Sequence, residues 1–98
     1  MSGTLAVRES GRPLPGMLVV AAKVAADGYE VLGETVSGHM GRFRVAYAPL
    51  PEPANLTLFV FTPEGRLLMM EPVHLAIFGA ELRLQVEVPW QELAQDYH

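Results

Sequence analysis

Apolar and polar positions alternate in short blocks along most of the chain, and turn residues separate the blocks about every 8 to 12 positions. Residues 81–88 are the clearest block. There Leu82, Leu84, Val86 and Val88 alternate with Glu81, Arg83, Gln85 and Glu87, the period of a strand with one face wet. Residues 42–47 repeat the pattern and place Phe43, Val45 and Tyr47 on one face. Residues 4–9 form a shorter strand with Leu5 and Val7 together. Residues 17–25 are apolar at almost every position, and Val19, Val20 and Val24 favour strand over helix because branching at Cβ stiffens the side chain. Ala26-Asp27-Gly28 is a tight-turn signature, and residues 29–37 return with Gly33 as an expected bulge. Residues 55–62 and 66–71 supply two further strands around a Pro63-Glu64-Gly65 turn. Residues 72–79 read as irregular, with room for one helical turn. The tail from Pro89 suits a short helix, since proline is tolerated in a first turn.

These blocks predict an all-β fold, a seven-stranded antiparallel Greek-key sandwich spanning residues 1–98 as one domain, with 89–98 as a short helix or tail. Three prolines within residues 48–53 make a stiff crossover between sheets and not a hairpin. No amphipathic helix of ten residues occurs, and no repeat of solenoid or propeller length is present.

Composition narrows the function classes. A net charge of -4 with only seven scattered Lys and Arg offers no basic stripe to neutralise phosphates, which argues against nucleic acid as a partner. Arg42 and Arg44 read as the solvent face of their strand. Without cysteine, neither disulfide, thiolate metal site nor cysteine nucleophile is available. No apolar run is long enough to span a membrane, and residues 1–10 lack the pattern of a signal peptide. The expected location is cytoplasmic, unless the chain is a fragment of a larger exported protein.

Gly11-Arg12-Pro13-Leu14-Pro15-Gly16, Leu32-Gly33-Glu34-Thr35 and Gly41-Arg42-Phe43-Arg44-Val45 follow one another before alternating strands. Together with the later Leu56–Gly65 segment, this resembles the transthyretin-like and carboxypeptidase-regulatory-like sandwiches over about two-thirds of the chain. The resemblance implies an accessory module and leaves its function open. An enzymatic branch of the transthyretin-like fold hydrolyses 5-hydroxyisourate with a first-strand histidine, an arginine in a Gly-Arg turn and a Tyr-Arg-Gly-Ser tail. Here only Arg42 matches. The first strand reads Leu5-Ala6-Val7-Arg8 and the chain ends Asp96-Tyr97-His98.

His39, His74 and His98 have neither a second histidine nor a carboxylate at metal-ligand spacing, so no metal, cofactor or catalytic residue is expected. The informative feature is surplus apolar surface. Turning Met17, Val19 and Ala21 inward with Leu56, Leu58 and Val60 leaves Leu18, Val20, Ala22, Phe59 and Phe61 on the outer face of one sheet. Those five are the expected partner-binding residues, for another protein or for self-association. Alternatively the crossover 48–53, or the tail with Trp90 and Leu93, covers them. The leading expectation is a non-catalytic interaction or assembly module, which could also pair a strand at a sheet edge. The alternative is a small-molecule or carbohydrate-binding module drawing on Tyr29, Tyr47, Tyr97 and Trp90.

Overall fold

The computed structural model describes residues 1–46, 55–74 and 83–94. Within them the chain forms β1 (Ser2–Val7), β2 (Leu18–Ala25), β3 (Gly28–Val36), β4 (Arg42–Arg44), β5 (Asn55–Phe61), β6 (Leu67–His74), β7 (Arg83–Val88) and the short helix α1 (Trp90–Ala94). The strands make two sheets, one ordered β4-β1-β7 and the other β3-β2-β5-β6. The fold is all-β, with a three-stranded and a four-stranded layer. Because β4 and β5 belong to different sheets, the proline-rich stretch between them joins the two layers; it lies outside the described residues, as does Tyr47.

The expected all-antiparallel arrangement needs correction at one place. β1 pairs antiparallel with β4 but parallel with β7, in register from Ser2 opposite Arg83 to Val7 opposite Val88. A period of two is the same whichever way the neighbour runs, so alternation in residues 83–88 carries no information about direction. Strand limits shift too. β1 starts at Ser2 and stops at Val7, because Val7 N–H donates to Arg12 O (2.8 Å) and Gly11 N–H donates to Val7 O (2.7 Å), closing the turn there. Residues 72–74, read as irregular, continue β6 through Pro72; β6 is the outermost described strand of its sheet, the position in which a strand tolerates proline. Residues 75–82 lie outside the described residues.

The core draws on both sheets. Leu5 and Val7 of β1, Phe43 of β4 with the following Val45, and Val86 and Val88 of β7 meet Val19 and Ala21 of β2 and Leu56, Leu58 and Val60 of β5 in one cluster. The inward set expected for β2 and β5 thus lies in the core cluster, with Met17 partly buried against it. Leu93 of α1 joins the same cluster. The helix is held at its first residue and at its middle: the Glu9 carboxylate accepts from Trp90 N–H (2.9 Å), and the Arg66 guanidinium donates to Glu92 O and faces the Glu92 carboxylate at 3.8 Å. Leu93, which the alternative reading laid over the outer face with the tail, packs into the core instead.

Where the two sheets meet near the Pro13–Gly16 turn, polar groups are tied as tightly as the core is packed. Leu14 N–H donates to Leu5 O (3.0 Å), and Leu14 O accepts from Ser37 Oγ (2.8 Å). The same Ser37 Oγ accepts from Met17 N–H (2.9 Å), while Ser37 N–H donates to Met17 O (2.8 Å). Ser37 is almost fully buried, and both roles of its hydroxyl are filled. Beside it the 3-10 turn His39–Gly41 ends on a residue that must be glycine. Gly41 has φ +73°, and a β-carbon there would run into the carbonyl oxygen of Leu5 and lie 3.1 Å from Leu14 N.

Two predictions follow from this corner. Gly11 shares the left-handed φ of Gly41 (+72°) but has open space around it. Gly11→Ala should cost only the backbone penalty of about 1 kcal/mol, whereas Gly41→Ala adds a backbone collision and should cost about 3 kcal/mol or more. Thermal unfolding of the two variants side by side checks this, and equal losses would contradict it. Ser37→Ala leaves Leu14 O and Met17 N–H without their partner and should lower the urea-unfolding free energy by about 1–3 kcal/mol; a loss below about 0.5 kcal/mol would show that the hydroxyl is dispensable.

Candidate interaction surface

Residues paired across a sheet share a face, so the register of β3-β2-β5-β6 settles what lies outside it. In one row Leu18 sits between Val36 and Phe61, and Phe61 sits next to Leu67. In the next, Val20 lies between Glu34 and Phe59, with Met70 beyond. In the third, Ala22 lies between Val31 and Thr57, with Pro72 beyond. Tyr29 opposite Val24 extends the face by one more pair. Only Glu34 and Thr57 interrupt three rows of apolar side chains.

Two bulges bring this about. Between Ala21 and Ala22 the register with β3 slips, so Leu32 is an extra residue. Without it Tyr29 and Val31 would face opposite to Glu34 and Val36; with it all four turn outward, and Leu32 packs against the core. Gly33 beside the bulge allows a close approach, since a β-carbon there would stand 2.5 Å from Ala46 O. On the other side Leu68 is the extra residue opposite the Val60–Phe61 step. Leu68 is buried, Met69 packs on the core, and Leu67 and Met70 point outward.

The five residues expected to bind a partner do share this face on adjacent, hydrogen-bonded strands, but they are not equally open. Leu18, Phe59 and Phe61 are partly exposed, whereas Val20 (8% exposed) and Ala22 (1%) are buried. The cause is a line of rings. Tyr29 on β3 meets Phe59 on β5 edge to face, with centroids 5.0 Å apart, and Phe59 stacks near Phe61 at 6.4 Å. β3 and β5 flank β2 on opposite sides, so the Tyr29–Phe59 contact must pass above it. Flanking strands lie about 9.5 Å apart, and a residue as small as Ala22 leaves room for the two rings to lean together.

The open part of the face lies along its two sides, on residues that sequence reasoning did not select. Val31 (62% exposed), Val36 (59%) and Tyr29 (52%) line the β3 side, and Met70 and Leu67 line the β6 side. Alternation hid them because each bulge breaks the period of two. The outer side of the other sheet is different in kind: Arg42, Thr4 and Gln85 form one row, and all three are exposed.

The other candidate groups do not converge. His39 is exposed in the 3-10 turn and Arg42 is exposed at the start of β4, while Tyr47, Tyr97 and His98 lie outside the described residues. Trp90 is exposed on α1, whereas Tyr29 sits on the four-stranded sheet. Among the described residues no group of three His, Asp or Glu side chains could hold a metal ion, and no helix is long and apolar enough to cross a membrane.

No protein-family model matches the sequence. No curated protein matches it either. Among solved structures, the fold is similar to the crystal structure of a 9R-lipoxygenase from Cyanothece PCC8801, with a TM-score of 0.55 and 19% identity over 89% of this chain. The chain spans only 16% of the length of that lipoxygenase chain. At this identity the likeness concerns the all-β fold alone.

Proposed function

We propose that the chain is a non-catalytic interaction module, built on a transthyretin-like Greek-key sandwich, that binds through the outer face of its four-stranded sheet. The observation that carries this reading is the set of three apolar rows on an outward face, with both sides of the face open to solvent. A solvated sheet normally keeps polar residues outside, as the β4-β1-β7 sheet does. Among the described residues, six of the eight large hydrophobic ones that are exposed belong to the outward set of the other sheet: Val24, Tyr29, Val31, Val36, Leu67 and Met70. Concentration on one face, and not scatter, is what distinguishes a binding surface from ordinary exposed apolar area.

The energetics fit the same reading. Phe59 and Phe61 are rigid anchors already held by ring contacts, so little side-chain freedom is lost when a partner arrives. The flanking valines are equally stiff, and Met70 is a soft gap-filler that adapts to a partner's shape. The transthyretin-like assignment rests on the Gly11–Gly16 turn leading into β2 and on Gly41-Arg42-Phe43 leading into β4, where Gly41 is sterically required and Phe43 enters the core.

An apolar fluorescent dye tests whether the face is open. At about 1 µM native protein, the wild type should enhance dye fluorescence several-fold over the variant Val31→Glu/Met70→Glu, whose substituted residues are exposed and whose circular dichroism should be unchanged. Equal dye binding by both proteins would remove the basis for the proposal.

A further inference from the structure

We infer that the occupant of this face is a second copy of the same chain, packed sheet on sheet; the inference rests on the interaction reading above. Three arguments lead there. The first is area. Four strands at about 4.8 Å spacing, three full rows about 7 Å apart and the Val24–Tyr29 pair beyond them cover roughly 20 by 20 Å, on the order of 400 Å² per copy. Two such faces bury about 800 Å², the small end of protein–protein interfaces, where association is weak. A small ligand would leave most of that surface wet.

The second argument is composition. Interfaces of proteins that also live apart are about as apolar as the rest of the surface, whereas homodimer interfaces are more apolar. The rows around Leu18, Val20 and Ala22 are apolar except for Glu34 and Thr57, and Thr57 is buried. Glu34 stands on β3, the outermost described strand of the sheet, where its carboxylate reaches water at the rim of a dimer.

The third argument is shape. A twisted sheet is complemented by another sheet of the same twist, with strands crossing at about 30°. The outward face also has unlike sides: stiff valines on β3, and the longer, softer Leu67 and Met70 on β6. A two-fold axis running along the strands lays the valine side of one copy on the leucine–methionine side of the other. Both sides are filled twice by one symmetric arrangement, as an isologous interface requires.

Sedimentation velocity from about 1 µM to about 500 µM tests the inference, since an interface of this size dissociates in the micromolar range. The wild type should pass from monomer to dimer across that range. Val36→Glu and Met70→Glu, exposed residues on opposite sides of the face, should each weaken the dimer at least about 10-fold, while Gln85→Glu on the other sheet should leave it unchanged. Using two sites guards against one variant that fails to fold. A wild type that stays monomeric at about 500 µM overturns the inference, and so does a dimer that tolerates both substitutions. If the monomeric protein still binds the apolar dye through this face, the interaction reading stands and the partner is a different chain; if it binds no dye, both fall.

Discussion

Leu14 is bonded to both layers at once, and the rest of the arrangement depends on that. Its N–H donates to Leu5 O in β1, and its carbonyl accepts from Ser37, whose hydroxyl also holds Met17 at the start of β2. The two sheets are thus fixed to each other at one corner by a chain of directional bonds, not only by apolar packing that would permit sliding. The chain passes this corner close enough to Leu5 that Gly41 admits no side chain. From there Phe43 drops into the core and presses against Gly3, whose β-carbon would come within 2.7 Å of the ring. A buried hydroxyl with every partner in place makes such a corner specific, because any other register would leave a polar group unpaired in the interior.

With the layers fixed, the inner faces use the apolar residues that one core can hold, and the central strands have apolar residues to spare. β2 and β5 are apolar on both sides: Val19, Ala21, Leu56, Leu58 and Val60 go inward, and Leu18, Val20, Phe59 and Phe61 go outward. The rings of Tyr29, Phe59 and Phe61 roof the middle of the outer face, which is why Val20 and Ala22 are buried there without belonging to the core cluster. The chain covers part of its own excess and leaves the rest open along both sides.

Blocks of alternating and continuous hydrophobicity located the strands, and the inward residues of β2 and β5 were readable because their period is unbroken. The parallel pairing of β1 with β7 was hidden, since direction leaves no trace in a period of two. Gly33 pointed to the bulge in β3, but the side chains that the bulge turns outward could not be assigned without the register of β2. The bulge at Leu68 gave no signal, because Leu67, Leu68, Met69 and Met70 are all apolar and any phase reads alike. The outer face was legible at its centre, where the strands are regular, and illegible at its sides, where the exposed apolar residues lie.

Those same two bulges bear on a hazard that every open sheet carries. β3 and β6 are the outermost described strands of the four-stranded sheet, and a flat, regular strand in that position is a template on which further chains stack without limit. Each of these strands is interrupted, by Leu32 in one and Leu68 in the other, and β6 also contains Pro72, which has no N–H to offer an incoming strand. The irregularities that expose valine and methionine on the face also spoil the sheet margins as seeds for amyloid. Growth by backbone hydrogen bonding is blunted where side-chain stickiness is greatest.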